Sequence, residues 1–310
     1  MSPFLSSISS PASSSRSDDF SRAAEINVYE ENGSTYRSYV FTQTGTNTFY
    51  LRTTKTVDIL VVANGGNGQS TAGGGGGEVV VKNDYRLSRG SYNFVIGERG
   101  ETETENIPEA DAGTRGKDVI IQTEGKNVLS DLTALGGGNG GQDGGSGGGG
   151  YADQGGSPGN LKPPGVSIAV NGVGFNGGSP TNTRGRCENA AGCGGGGAGG
   201  TGLTNIRNSQ RLAVGGAGGP CITNTFRDGT ARSYAGGGGG ASNPCHNDST
   251  NVGGAGGCGN LSGGQGGGAG TPNPYDSVDE TGGGGGAQAQ SSSGDGLGAT
   301  GIVVIREVIG

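Results

Sequence analysis

The single histidine, His246, stands beside Cys245 in Asn243-Pro244-Cys245-His246-Asn247, the one place where an imidazole and a thiol could share a zinc ion. A zinc site needs four ligands at recurring spacing, and Cys187, Cys193, Cys221, Cys245 and Cys258 include no C-x-x-C pair. No metal site is therefore expected. The five cysteines, an odd number, leave two readings. The favoured one makes them small side chains packed among glycines. The other makes one or two disulfides that brace the region under oxidising conditions, with no connectivity specified. Phosphate chemistry fares no better. Asp111-Ala112-Gly113-Thr114-Arg115-Gly116-Lys117-Asp118 resembles the end of a Walker A loop, but it lacks the first glycine. Asp118 also stands where a magnesium-binding hydroxyl belongs. The acidic loop with Glu98, Glu101, Glu103, Glu105, Glu109 and Asp111 lacks the spacing of an EF-hand and reads as solvated. Asn32, Asn247 and Asn260 fit the glycosylation sequon, which carries weight only in a secreted chain. The chain reads as a non-enzyme without a cofactor.

Recognition is the chemistry that remains. Aromatic, arginine and amide side chains at the tips of polar inserts make the candidate contacts: Tyr151, Phe175, Arg184, Arg186, Arg207, Phe226, Arg227, His246 and Tyr275. These sparse side chains interrupt a tract dominated by glycine, from Gly136 to Gly301, so whatever positions them must be built from glycine.

Glycine supplies 75 of the 310 residues and hydrophobic residues only 29%. That composition is too poor for one conventional core. Ordering glycine costs about 1–2 kcal/mol of backbone entropy per residue, which only dense backbone hydrogen bonding could offset. The extended left-handed polyproline-II form meets that need. It turns every N–H and C=O outward, so neighbouring rods can satisfy one another. Side chains would keep such rods apart, and glycine removes them. The inserts Tyr151–Val170, Ser179–Ala191, Leu203–Val214, Pro220–Ala235, Ala241–Val252 and Thr271–Thr281 then read as turns between rods. No Gly-X-Y period persists, which excludes collagen.

The remaining chain reads as β. Ile26–Tyr29, Tyr36–Thr42, Thr48–Thr53, Val57–Ala63, Glu78–Lys82, Tyr92–Ile96, Lys117–Gln122, Val128–Leu135 and Ile302–Val308 supply about nine strands. Asn32-Gly33 marks a hairpin turn, and the apolar run Val57–Ala63 a central strand. Ile302–Val308 must return across the whole tract to pair with earlier strands. The expected fold is thus mainly β: a small antiparallel β-sandwich with an inserted bundle of polyglycine-II helices and essentially no α-helix. Residues 1–25 form a flexible or anchoring tail, 26–135 plus 300–310 the sandwich, and 136–299 the bundle. Phe4, Leu5, Ile8 and Phe20 are the tail's candidate anchors to a larger assembly.

Several segments together resemble a known family. They are Val57-Asp58-Ile59-Leu60-Val61-Val62 before Gly73–Gly77, then Leu87-Ser88-Arg89-Gly90-Ser91-Tyr92-Asn93-Phe94-Val95-Ile96-Gly97, and Leu132-Thr133-Ala134-Leu135-Gly136-Gly137-Gly138. Later come Tyr234-Ala235 with Gly236–Gly240, and Gly298-Ala299-Thr300-Gly301-Ile302-Val303-Val304-Ile305-Arg306. From Val57 to Val308 the chain is similar to glycine-rich domain proteins of tailed-phage tail fibres, adhesins and other viral particles. Similar glycine-helix bundles occur in the extracellular glycine-rich domain of some receptor tyrosine kinases. The resemblance implies a virion surface protein that recognises the host through loops on the bundle. Its partners would be other virion proteins, through the N-terminal region, and a host glycan, lipopolysaccharide or membrane protein; a homotrimer is the implied assembly. A structural virion role (capsid decoration, minor capsid or fibre base) is the alternative, and ice binding a further one that the irregular inserts argue against. Net charge is −7 with no basic stripe, so no nucleic-acid partner is expected. The N-terminus lacks the features of a secretory signal, which leads to the expectation of synthesis in a host cytoplasm.

Overall fold

The computed structural model describes residues 23–69, 71–104, 114–125, 127–152, 161–180, 190–207, 213–243, 253–258, 263, 276–288 and 296–310. Eight strands make two facing antiparallel sheets. The first holds β1 (Glu25–Glu31), β2 (Ser34–Phe41), β4 (Lys55–Val62), β5 (Val79–Leu87) and β18 (Ile302–Val308) in the order β1-β2-β18-β4-β5. The second holds β3 (Gly45–Leu51), β6 (Gly90–Ile96) and β9 (Ile120–Thr123) in the order β3-β6-β9, and β7 (Thr102–Thr104) pairs with β8 (Thr114–Gly116) in a separate short ladder. Asn32 and Gly33 both take positive φ, 51° and 81°, as the tight turn between β1 and β2 demands. The C-terminal strand does cross back: Val304 stands opposite Val40 of β2 on one side and Leu60 of β4 on the other.

The apolar runs of β4 and β18 are continuous because both faces of the larger sheet are buried. Val57, Ile59, Val61, Val303 and Ile305 face the smaller sheet, and between the sheets Phe41 of β2 clusters with Phe49, Tyr92 and Phe94 of the smaller one. Ring centroids there lie 4.5 Å apart for Phe49 and Phe94 and 4.7 Å apart for Phe41 and Phe94, a spacing that adds to simple burial. Leu60, Val62, Ile302 and Val304 face the other way, under Phe226, Tyr234 and Ala235. Those three belong to the glycine tract, so the molecule has three layers, with the tract supplying the third.

The stretch Val128–Leu135 is not a strand, contrary to its apolar pattern. Ser130–Leu132 forms a single 3-10 turn, and only isolated bridges at Val128 and Ala134 reach the strands. Ser130-Asp131 favours the turn, and Val128 faces solvent while Leu132 and Ala134 fill the core. The described residues contain no α-helix.

The glycine segments form a bundle of extended rods joined by backbone hydrogen bonds with a three-residue period. Rod 73–77 shows it best. Gly73 and Gly76 donate to Cys193 and Gly196, Gly74 and Gly77 to Gly285 and Gly282, and Gly75 to Gly138, at 2.8–3.1 Å. Its carbonyls accept from three further segments: Gly73 and Gly76 from Gly149 and Ser146, Gly74 from Gly238, and Gly75 from Gly66. One rod thus touches six others, the packing that threefold polyglycine-II permits. Two rods, 63–68 and 73–77, precede Gly136, so the bundle grows directly out of β4 and back into β5.

Candidate functional site

Hydrogen-bond registers give each rod a direction and so divide the inserts between two ends. Rod 63–68 leaves β4 and rod 296–301 enters β18; Gly65 donates to Ala299 and Gly68 to Gly296. Gly68 and Gly296 therefore lie at the end far from the sheets. At that end Gly150 donates to Gly178, Cys193 to Gly150, Gly192 to Ala241 and Ala241 to Thr71, at 2.8–3.0 Å. The rods ending at 150, 178, 192 and 241 thus stop in one layer.

Short ladders rise from this layer. They are β10 (Tyr151–Ala152) with β11 (Leu161–Lys162), β12 (Ala190–Ala191) with β17 (Ser242–Asn243), and β13 (Ile206–Arg207) with β14 (Ala213–Val214). Asn205 Nδ2 donates to the Ala191 carbonyl at 2.6 Å, which ties the β13 stem to β12. Tyr151 is half-buried in the first ladder and Arg207 lies in β13. Arg184, Arg186 and His246 lie outside the described residues, but the residues flanking their inserts belong to this end. A rigid base carrying several inserts side by side can present a composite surface, with scaffold and specificity held in separate residues.

Phe226 and Arg227 are found elsewhere. They sit in the loop of a hairpin formed by β15 (Ile222–Asn224) and β16 (Arg232–Tyr234), which packs on the outer face of the larger sheet. They are only 6% and 9% exposed. Tyr29 donates to the Phe226 carbonyl at 2.8 Å, and Asn27 Nδ2 and Ser38 Oγ donate to the Arg227 carbonyl. The Arg227 guanidinium pairs with Glu25 and with Glu280. Arg306, itself paired with Asp58 and Glu31, places its guanidinium 3.8 Å from the Phe226 ring centre. These two residues clamp the third layer to the sandwich and are not available to a receptor. The alternation across Ile222–Tyr234 and the turn pair Asp228-Gly229 were the sequence signals for this hairpin. Tyr275, Phe4, Leu5, Ile8 and Phe20 lie outside the described residues, and Phe175 stands on a flank of the bundle.

The clamp is acid-sensitive. The Glu25 carboxyl is held below its ordinary value first by the hydrogen bond from Arg227, the Glu31 carboxyl by that from Thr225, and the Asp228 carboxyl by that from Arg232. A carboxylate with a depressed folded-state pKa adds stability that is fully present above its unfolded value, about 4.3 for Glu. That stability is lost as pH falls through the folded-state value. The hairpin should therefore stay docked at neutral pH and loosen below about pH 4. NMR resonances of the Tyr29 ring report it, and resonances unchanged down to pH 2 would refute the clamp.

Sequence reasoning missed two positioning asparagines. Asn64 and Asn67, three residues apart on one rod, point the same way. Their Oδ1 atoms accept from Gly301 and Gly298 at 2.9 Å, and their Nδ2 atoms donate to the Glu98 and Gly100 carbonyls. Each amide fills the place of a missing rod. The spacing Asn64-Gly-Gly-Asn67 was the available signal.

Cys221 and Cys258 form a disulfide with Cα atoms 5.8 Å apart, which corrects the expectation that they are merely packed thiols. Both stand at the ends of rods, 215–219 and 253–257, that run side by side, so the sulfurs meet. Cys193 is a buried free thiol whose pKa is pushed up to about 11 by burial, and Cys187 and Cys245 lie outside the described residues. Among the described residues, rod 253–257 is also joined to its neighbours where Gly218 donates to Ala255, Gly254 to Gly240, Gly257 to Gly237 and Gly263 to Gly257. Reducing the disulfide should lower stability by about 2–4 kcal/mol, with protease cleavage appearing first near residues 253–258. A cleavage pattern unchanged by reductant would contradict this.

Among the described residues no group of three His, Cys, Asp or Glu side chains could hold a metal ion. The former Walker-like residues are structural: Arg115 and Asp118 form a buried ion pair at 3.0 Å, and Asp118 accepts from the Gly136 N–H at 2.8 Å. No helix among them is long and apolar enough to cross a membrane. Residues 42–307 match the model of a family described as a glycine-rich domain. No curated protein matches the chain.

Proposed function

The chain belongs to the glycine-rich domain family, and from that premise we propose that it is a non-enzymatic virion surface protein of the tail-fibre or adhesin kind. It recognises a host surface through the inserts at the far end of the bundle. The observation that carries this reading is the layer in which rods 150, 178, 192 and 241 end together, with three ladders rising from it. Such an end has a hydrogen-bonded base from which several polar inserts leave side by side. Polar inserts with scattered aromatic, arginine and acidic side chains suit a glycan, a lipopolysaccharide or a membrane protein. The proposed contacts are Tyr151, Arg184, Arg186, Arg207 and His246, and the N-terminal region attaches the protein to its particle.

The test is binding of purified protein to susceptible host cells. Replacing residues 153–160, 181–189 and 244–252 with Gly-Ser linkers of equal length should abolish binding while the urea midpoint stays unchanged. Substituting Phe226 should leave binding intact at neutral pH in any variant that still folds. Undiminished binding after all three replacements would sink the recognition reading and leave a structural virion role.

A further inference from the structure

We propose that one flank of the glycine bundle is a self-association face, through which two copies of this chain meet. The inference does not rest on recognition at the far end, although Ile206 belongs to the β13 ladder there. Three neighbouring segments form the flank. Gly177 donates to the Gly165 carbonyl and Gly202 to the Asn176 carbonyl, at 3.1 Å each, so segments 165–168, 173–178 and 201–206 lie side by side.

Each segment turns large apolar side chains to solvent. Val166 is 51% exposed, Phe175 41%, Leu203 57% and Ile206 64%, with Val173 beside Phe175. A monomer gains nothing by exposing such a row, and contiguous patches of this kind mark interaction surfaces.

The charge pattern selects the occupant. No charged residue occurs from Pro163 to Thr183 or from Ala190 to Ile206, in a chain whose net charge is −7. A basic or acidic partner finds nothing to pair with there. A membrane surface would call for a rim of several Lys or Arg around the apolar residues; within these stretches there is none, with Lys162, Arg184 and Arg207 standing only at their ends. Two acidic copies repel one another over the rest of their surface, but they approach along this flank without a like-charge penalty. A two-fold axis places the same apolar row on both copies, so the face is self-complementary.

Sedimentation velocity of the full chain, from nanomolar to high micromolar concentration, reads the association directly. The native protein should convert from monomer to dimer, and more readily as salt screens the acidic surfaces. The double variant Phe175→Glu, Leu203→Glu should weaken the dimer at least tenfold, whereas Ile26→Glu, Val28→Glu on the exposed side of β1 should not. If the flank variant misfolds, hydrogen exchange of the native protein still decides. Amides of residues 173–176 should slow as concentration rises, and no others outside the flank.

A native chain that stays monomeric throughout overturns the proposal. So does a dimer broken only by the β1 variant, or a monomer that co-sediments with phosphatidylcholine vesicles through Phe175 and Leu203.

Discussion

Gly75→Ala should cost at least about 3 kcal/mol or prevent folding outright, beyond the usual 1–3 for overpacking. A Cβ at Gly75 would run into the Ser146 carbonyl, and every atom around it is backbone. No side chain can rotate away. The rod cannot shift either, because Gly75 donates to Gly138 at 2.8 Å and accepts from Gly66 at 2.9 Å. Moving it would break bonds to several neighbours together. The control is Gly125→Ala, where the nearest atom is the Asn127 amide nitrogen at 3.6 Å. There the lost flexibility of the unfolded chain should leave stability unchanged or raise it by about 0.4–1 kcal/mol. Urea titration of the two variants beside the parent measures both. The same chemical change thus has opposite signs at two glycines, and a parent-like midpoint for Gly75→Ala would be incompatible with packed rods.

Glu78→Ala should be nearly as damaging. Glu78 is fully buried where rod 73–77 becomes β5. One carboxylate oxygen accepts from the N–H groups of Val170, Asn171 and Gly172, the other from Leu135 at 3.0 Å. Leu135 lies where the sandwich enters the bundle, and Val170–Gly172 in the turn that joins segments 165–168 and 173–178. Asn171 extends the junction through Nδ2 to the Ser130 and Thr133 carbonyls at 2.6 and 2.9 Å. Removing the carboxylate leaves four inward N–H groups without an acceptor, and each such loss costs about 1–3 kcal/mol. A total above about 3 kcal/mol is expected after partial relaxation. Glu78→Gln keeps one acceptor and turns an NH2 toward a donor, so it should lose less, about 1–3 kcal/mol. Thermal unfolding ranks the series; Glu78→Ala melting with the parent would remove the junction from the account.

Much of the scaffold was legible because its signals are local. The continuous run Val57–Ala63 said that one strand is buried on both faces, and Asn32-Gly33 said where the chain reverses. The rods were legible from composition, since nothing but glycine tolerates backbone against backbone. What could not be read was which rod touches which. Gly73 and Gly76 bond Cys193 and Gly196 across more than a hundred residues, and identical glycines carry no address. The end at which an insert emerges depends on that register. Phe226 and Arg227 therefore looked like tip residues although they clamp the hairpin to β1 and β2. Glu78 escaped notice because its partners are backbone groups, which leave no mark in a sequence. The disulfide escaped for the related reason that Cys221 and Cys258 become neighbours only once rods 215–219 and 253–257 lie together.

Recognition at the far end depends on the glycine tract being a rigid body. Native-state hydrogen exchange of the Gly73–Gly77 amides tests that most directly. Each of the five donates to another rod and the segment is buried, so all five should exchange only with global unfolding, as slowly as Val303 and Val304 in the central strand. Exchange at the rate of an unstructured chain, while β18 remains protected, would mean that the tract is a linker and would contradict the account.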